Sequence, residues 1–236
     1  MFDTIILMAG PAEQSLSGVL RKHRPELTVL LVSSQAELLA IPSETLARAR
    51  LIGFVTPVIV PGEVLDRLGY GAYNFHPGPP RYPGWAPAHF ALYEREAQFG
   101  ATVHEMIAKV DAGPIIDVSL FPIPANTSVT ALEGMAYARL ALMFWRLSND
   151  LAHSTAPFPS AGFAWATKKY TRRHYQAMCD IPVDITGAEL ERRIEIFGAH
   201  HFGIAPTIKL HGIEFRVLHP RERAAPTQAP ATASAA

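Results

Sequence analysis

Tyr73-Asn74-Phe75-His76-Pro77-Gly78-Pro79-Pro80-Arg81-Tyr82-Pro83-Gly84 begins as a strand and ends as a proline-stiffened loop. Asn74 and His76 are two residues apart, so in a strand they share a face. Pro77 has no N–H to give and ends the ladder there. An amide and an imidazole are thereby presented side by side where a strand runs out. The amide donates one hydrogen bond and a protonated imidazole donates another with charge, which suits holding a negative oxygen. The same residues also read as an ordinary strand end before a Pro/Gly loop.

Outward from this stretch the chain alternates. Residues 4–9 are an unbroken apolar run ended by Gly10-Pro11, the pattern of a buried parallel strand. Runs at 27–32, 51–55 and 71–76 continue the series, with helical stretches at 13–24, 36–50 (broken at Pro42) and 61–68 between them. Such alternation predicts an α/β fold, a parallel sheet covered on both faces. Beyond the loop, 88–97 reads as a helix, 100–107 as a fifth strand, 108–113 as a turn and 114–122 as a sixth strand. Asn126-Thr127-Ser128 opens a long helix with Leu132, Ala136, Leu140, Met143 and Leu147 on one face, and Met143, Phe144 and Trp145 read as core. Around Pro157-Phe158-Pro159 the pattern changes. The expected organisation is a main domain over 1–156, a small C-terminal α+β appendage over 157–220 and a disordered Ala/Pro/Thr/Ser tail over 221–236. The appendage should hold a helix at 187–197 and a hairpin turning at His211-Gly212.

Lys plus Arg equals Asp plus Glu at 21 each, so no global charge steers the chain to nucleic acid or an acidic surface. One cysteine, Cys179, excludes an internal disulfide and a cysteine-based zinc site, and fits a reducing cytoplasm. The first apolar run is too short to span a bilayer and lacks a basic leader, so neither membrane nor export is expected. Met8-Ala9-Gly10-Pro11-Ala12-Glu13 lacks the G-x-G-x-x-G of dinucleotide enzymes.

The fourth strand, the helix after it and the fifth strand read as a right-handed crossover between parallel neighbours. Asp111, just past the fifth strand, would then join Asn74 and His76 at the carboxyl edge of the sheet, where open α/β folds bind ligands. A carboxylate beside an imidazole favours its charged form. Charged His76 and Asn74 would stabilise a tetrahedral oxyanion. No Ser or Cys stands beside them, so a substrate nucleophile attacks the carbonyl while Asp111 and His76 move protons. His104 is either a neighbour of this site or a satisfied strand histidine. Arg81 and Tyr82 read as a solvated loop tip, the basic run at 168–173 as a solvated face and Cys179 as a packing residue. No histidine cluster has metal-ligand spacing.

Residues 73–87, Gly100-Ala101-Thr102-Val103-His104 and Val110-Asp111-Ala112-Gly113-Pro114-Ile115-Ile116 together resemble the folate-dependent formyltransferases. That family includes the glycinamide ribonucleotide, methionyl-tRNA and amino-sugar enzymes. The resemblance spans residues 50–120. It implies a Rossmann-like, mostly parallel domain, an Asn/His/Asp catalytic set falling on Asn74, His76 and Asp111, and 10-formyltetrahydrofolate as formyl donor. The acceptor implied is a primary amine of a small molecule, such as an amino sugar. Ile59, Val60 and Pro61 fall on the family's folate-lining stretch, and Val110 and Gly113, beside the aspartate, are the other folate-binding residues the resemblance implies. Pro77-Gly78-Pro79-Pro80 stands where the tRNA and sugar enzymes often carry Ser-Leu-Leu-Pro, and looks more like the formyltransferase module of hydrogenase-maturation proteins. The basic loop of the tRNA enzymes has no counterpart between Ser34 and Arg50, which ranks tRNA below small amines. Formyl-folate hydrolysis and a non-catalytic folate-binding module are the other readings.

Overall fold

The computed structural model describes residues 1–10, 15–199 and 201–218; the expected tail at 221–236 lies outside them. The chain divides into two compact units, Met1–Tyr170 and a second from Thr171. The first unit runs β1 (Thr4–Met8), α1 (Leu16–His23), β2 (Thr28–Val32), α2 (Gln35–Leu39), α3 (Ser43–Leu46), β3 (Ala49–Phe54), α4 (Gly62–Leu65), β4 (Ala72–His76), α5 (Pro87–Tyr93), β5 (Gln98–Glu105), β6 (Ile115–Pro122) and α6 (Val129–His153).

Its six strands form one sheet in the order β2-β1-β3-β4-β5-β6. Strands β1 to β4 are mutually parallel, as their continuous apolar runs predict. Alternate residues of β1 feed opposite cores: Ile5 and Leu7 join the α1/α6 side, Ile6 and Met8 the side of α2 to α4. Helix starts follow their caps: the Ser34 hydroxyl accepts from the Glu37 N–H, and that of Ser128 from the Ala131 N–H. On α6, Leu132, Ala136, Leu140, Met143 and Phe144 are buried, but Trp145 is exposed. At 100° per residue Trp145 turns off the stripe that its neighbours share, so it is not core.

Arg50 on β3 is fully buried without a carboxylate partner. Its guanidinium donates to the carbonyls of Leu151 (2.6 Å), Ser154 (2.8 Å), Asp150 (3.2 Å) and Tyr70 (3.1 Å). The Asp150 carbonyl also accepts the Ser154 N–H (2.9 Å), whereas Leu151 and Ser154 offer acceptors past the last helical bond of α6, where a cation also meets the negative end of the helix dipole.

Two expectations are corrected. The fifth strand is antiparallel to the fourth, with Asn74 opposite His104 and His76 opposite Thr102. The connection spends residues 77–86 in a loop at the carboxyl edge, leaving the seven-residue α5. Thr102 pairs with His76 and Glu105 with Tyr73, so the chain re-enters the sheet from the carboxyl edge of β4, where the loop has kept it. The unit boundary also falls after Tyr170 rather than after 156. Residues 157–170 belong to the first unit because Phe158 packs edge-on against Tyr73 (4.9 Å between centroids) and Tyr170 bridges to Gly84.

The second unit holds α7 (Arg172–Cys179), β7 (Asp180–Ile181), α8 (Gly187–Phe197), β8 (Thr207–Leu210) and β9 (Ile213–Arg216). Strands β8 and β9 form the expected hairpin, with positive φ at both turn residues, His211 (49°) and Gly212 (81°). Cys179 is buried, and burial pushes its thiol up to about 12, consistent with a packing role.

Candidate active site at the carboxyl edge of β4

Asn74 and His76 share one face of β4, and the antiparallel register puts His104 and Thr102 of β5 directly opposite them on that face. After β5 the chain folds back as a loop, 106–114, before β6. Gly113 makes this possible: a Cβ there would lie 2.1 Å from the Glu105 carbonyl oxygen. Asp111, near the loop's end, has φ of 46°. Aspartate bears that left-handed conformation better than most residues. Lys169 Nζ donates to the Val110 carbonyl (2.5 Å) and Trp165 Nε1 to that of Gly113 (2.8 Å), so both neighbours of the 111–112 step are tied.

The Asp111 carboxylate is thereby placed between two imidazoles. Its Oδ2 lies 3.5 Å from His76 Nδ1 and accepts the Gly84 N–H at 2.8 Å; its Oδ1 lies 3.2 Å from His104 Nε2. Asn74 Nδ2 is 3.2 Å from the same His104 nitrogen, whose ring partner Nδ1 donates to the Glu105 carbonyl at 2.8 Å. Nε2 of His104 accepts from Asn74 when bare and donates to Asp111 when protonated. His76, His104 and Asp111 are buried, whereas Asn74 is half-buried. The site is therefore most accessible on the Asn74 side. Gly53 beneath it has no room for a Cβ, which would meet Asn74 Oδ1 at 3.0 Å and Met106 Cε at 2.7 Å.

Burial opposes the charge of Asp111, but His76, the His104 hydrogen bond and the Gly84 amide hold its carboxyl well below the usual carboxylate range. His76 departs from expectation. Burial pulls it below the ordinary imidazole value, and the upward pull of Asp111 does not offset this. Nε2 of His76 donates to the Tyr82 carbonyl (3.0 Å). With Nε2 on the Tyr82 carbonyl, Nδ1 is the ring nitrogen turned to Asp111. Burial thus works against the charged His76 that a carboxylate neighbour alone would favour, and it is the larger of the two effects.

The other expected residues lie around this core. Ile59 is exposed and Val60 half-buried, and Pro61 caps α4. A Cβ on Gly62 would meet Ala108 at 3.6 Å, so this strip runs beside the 106–114 loop. Val110 is exposed on that loop, as is Ile107. Gly113 serves the loop's close approach to β5.

Several residues here had no functional reading in sequence. Trp165 stands edge-on to His76 and His104, with centroids 5.8 and 5.0 Å apart. Thr102 donates to the Gly78 carbonyl at 2.7 Å. Tyr82, expected on a solvated tip, is buried; only Arg81 is exposed there, paired to Glu96 at 2.7 Å. The start of the basic run is a solvated face only in part: Lys168 is exposed though paired with Glu94 (2.8 Å), whereas half-buried Lys169 reaches Val110 and Tyr170 is buried. The only local hint was the Lys-Lys-Tyr composition; the partners are some 60 residues or more upstream.

Residues 51–138 match the formyl transferase family model. Over 189 residues the chain is 29% identical to the methionyl-tRNA formyltransferase of Dechloromonas aromatica (strain RCB), an alignment covering 78% of this chain and 58% of that enzyme. The chain thus spans little more than half the length of that relative. A sugar N-formyltransferase from Shewanella shares the fold at a TM-score of 0.72, with 16% identity over 92% of this chain and 96% of the other. An N-formyltransferase from Helicobacter canadensis, solved with folinic acid and dTDP-3-aminofucose, does so at 0.63, with 16% identity over 90% and 85%. The segment that carries Asn74, His76, His104 and Asp111 is the segment that the formyl transferase family model matches.

Proposed function

We propose that this chain transfers the formyl group of 10-formyltetrahydrofolate to a primary amine of a small molecule, an amino sugar being the leading class. The observation that carries the reading is the Asp111 carboxylate set between His76 and His104 beside half-buried Asn74. The apolar strip of Ile59, Val60 and Pro61, and the exposed Val110 and Ile107 on the 106–114 loop beside it, offer apolar surface for a flat pterin ring. The Helicobacter canadensis relative, solved with a folate and an aminosugar nucleotide, supports this choice of donor and acceptor class.

In this reading the amine nitrogen attacks the formyl carbon, a new C–N bond forms and the carbonyl oxygen becomes an oxyanion. One N–H of Asn74 engages His104; the other is available to the oxyanion at the open edge of the site. The amine's proton passes to the Asp111/His76 pair, Nδ1 of neutral His76 taking it and Asp111 stabilising the imidazolium. That proton is returned to N10 of the folate as the C–N10 bond breaks. The test is purified protein with 10-formyltetrahydrofolate and a panel of primary amines, followed by the folate's ultraviolet absorbance. Formyl loss that depends on an amine is expected. Loss without one identifies a hydrolase, and binding without turnover identifies a folate-binding module.

A further inference from the structure

The carboxylate of Glu94 collects three donors on the far side of the Pro/Gly loop. Tyr82 Oη donates to Oε2 at 2.7 Å, Lys168 Nζ to Oε1 at 2.8 Å, and the Tyr170 hydroxyl also donates to Oε1. Glu94 caps the carboxyl end of α5, where the helix dipole disfavours an acid. Its placement is explained by what it holds. Both tyrosine rings are buried and stacked in one column, Tyr82 on Tyr170 at 5.8 Å and Tyr170 on Phe90 at 3.9 Å.

The Tyr82 backbone contacts His76 directly, and the Tyr170 backbone holds the residues on either side of Gly84, which contacts Asp111. The Tyr82 carbonyl accepts from His76 Nε2 and so keeps Nδ1 turned to Asp111. Tyr170 brackets Gly84: its N–H donates to the Pro83 carbonyl (3.1 Å) and its carbonyl accepts the Trp85 N–H (2.9 Å). Gly84, pinned between them at φ of 96°, aims its own N–H at Asp111 Oδ2. A Cβ at Gly84 would lie 2.1 Å from the Tyr170 carbonyl oxygen, so this approach needs glycine.

We propose that Glu94 is a positioning residue, which through Tyr82 and Tyr170 sets the tautomer of His76 and the orientation of Asp111. The proposal rests on the catalytic reading of that pair. A hydroxyl-to-carboxylate clamp on two rings is used here to hold two backbone groups, and the backbone groups hold the acid and the base.

The test reads geometry and catalysis separately. Ring-nitrogen NMR of the full chain should show His76 with its proton fixed on Nε2. In Glu94→Ala the two tautomers should average, and kcat should fall about tenfold while the folate KM stays within about twofold. Glu94→Gln keeps the volume and one acceptor oxygen, and should recover part of the loss. Tyr82→Phe and Tyr170→Phe keep the stacked rings and remove only the hydroxyls; each should move the His76 signals in the same direction. Those two variants decide the matter if Glu94→Ala does not fold. Unchanged His76 signals and turnover in the tyrosine variants, or in a folded Glu94→Ala, overturn the proposal. If the unmodified protein transfers no formyl group, the catalytic reading fails, and the His76 signals still decide whether Glu94 positions the pair.

Discussion

Asp111 combines a left-handed backbone with a buried carboxylate that touches His76, His104 and the Gly84 amide. Removing it should leave the sheet intact, because none of the strand pairings uses its side chain. Asp111→Ala is expected to cut turnover by at least about a hundredfold with an unchanged far-ultraviolet circular dichroism spectrum. Turnover near that of the unmodified protein would remove Asp111 from the mechanism. His76 sets the pH dependence. It acts as a base only when neutral, and burial lowers its pKa from the ordinary 6.5. The rate should therefore hold as pH falls to 6.5 and decline only below it; an acid limb centred above 6.5 would contradict a neutral buried His76. The Asn74/His76 pair was readable because a strand's period of two and the proline after it are local facts. The protonation of His76 was not, because it depends on how much chain covers the ring.

The 106–114 loop is the element that makes the site, and Gly113 is its tightest point. Its missing Cβ faces the backbone of Glu105, at 2.1 Å from the oxygen and 3.0 Å from the carbon, and neither can yield as a flexible side chain would. Gly113→Ala is expected to cost roughly 1–3 kcal/mol of stability. It should also lower formyl transfer by about as much as Asp111→Ala, since the loop that carries Asp111 must shift. A denaturant melt and the folate assay measure the two effects; full activity in a folded Gly113→Ala would show the loop to be more tolerant than its geometry implies. At this scale the strands were legible and one direction was not. A strand buried on both faces looks the same in sequence whichever way it runs. The crossover expected between β4 and β5 is an antiparallel return, and Asp111 reaches His76 by a folded-back loop instead of a strand tip. The antiparallel register has the further effect of placing His104 opposite Asn74, an outcome a parallel pairing would not have produced.

Across the first unit, Arg50 ties the central strand β3 to the end of α6, about a hundred residues away in the chain. Burial pulls its guanidinium below the ordinary arginine value, yet four carbonyl acceptors and the rings of Phe2, Tyr73 and Phe158 surround it. Arg50→Met should strand the acceptors of the last helical turn and destabilise the chain by about 3 kcal/mol or more, lowering the thermal midpoint by roughly 6 °C or more. A melting temperature within a degree or so of the unmodified protein would show that water takes over the capping. Among the described residues no helix is long and apolar enough to cross a membrane.

Periodicity and punctuation in the sequence alone determined the alternating strands and helices, the two-sided core of β1 to β4, the start of α6 and the side-by-side Asn74 and His76. Each of these follows from residues within a turn or two of one another. Only the tertiary structure decided the direction of β5, the desolvation of His76 and the recruitment of Trp165, Lys169 and the Glu94 clamp. Their partners lie tens of residues away and are joined by hydrogen bonds and stacked rings, contacts that impose no repeat on the chain and so leave no local pattern to read.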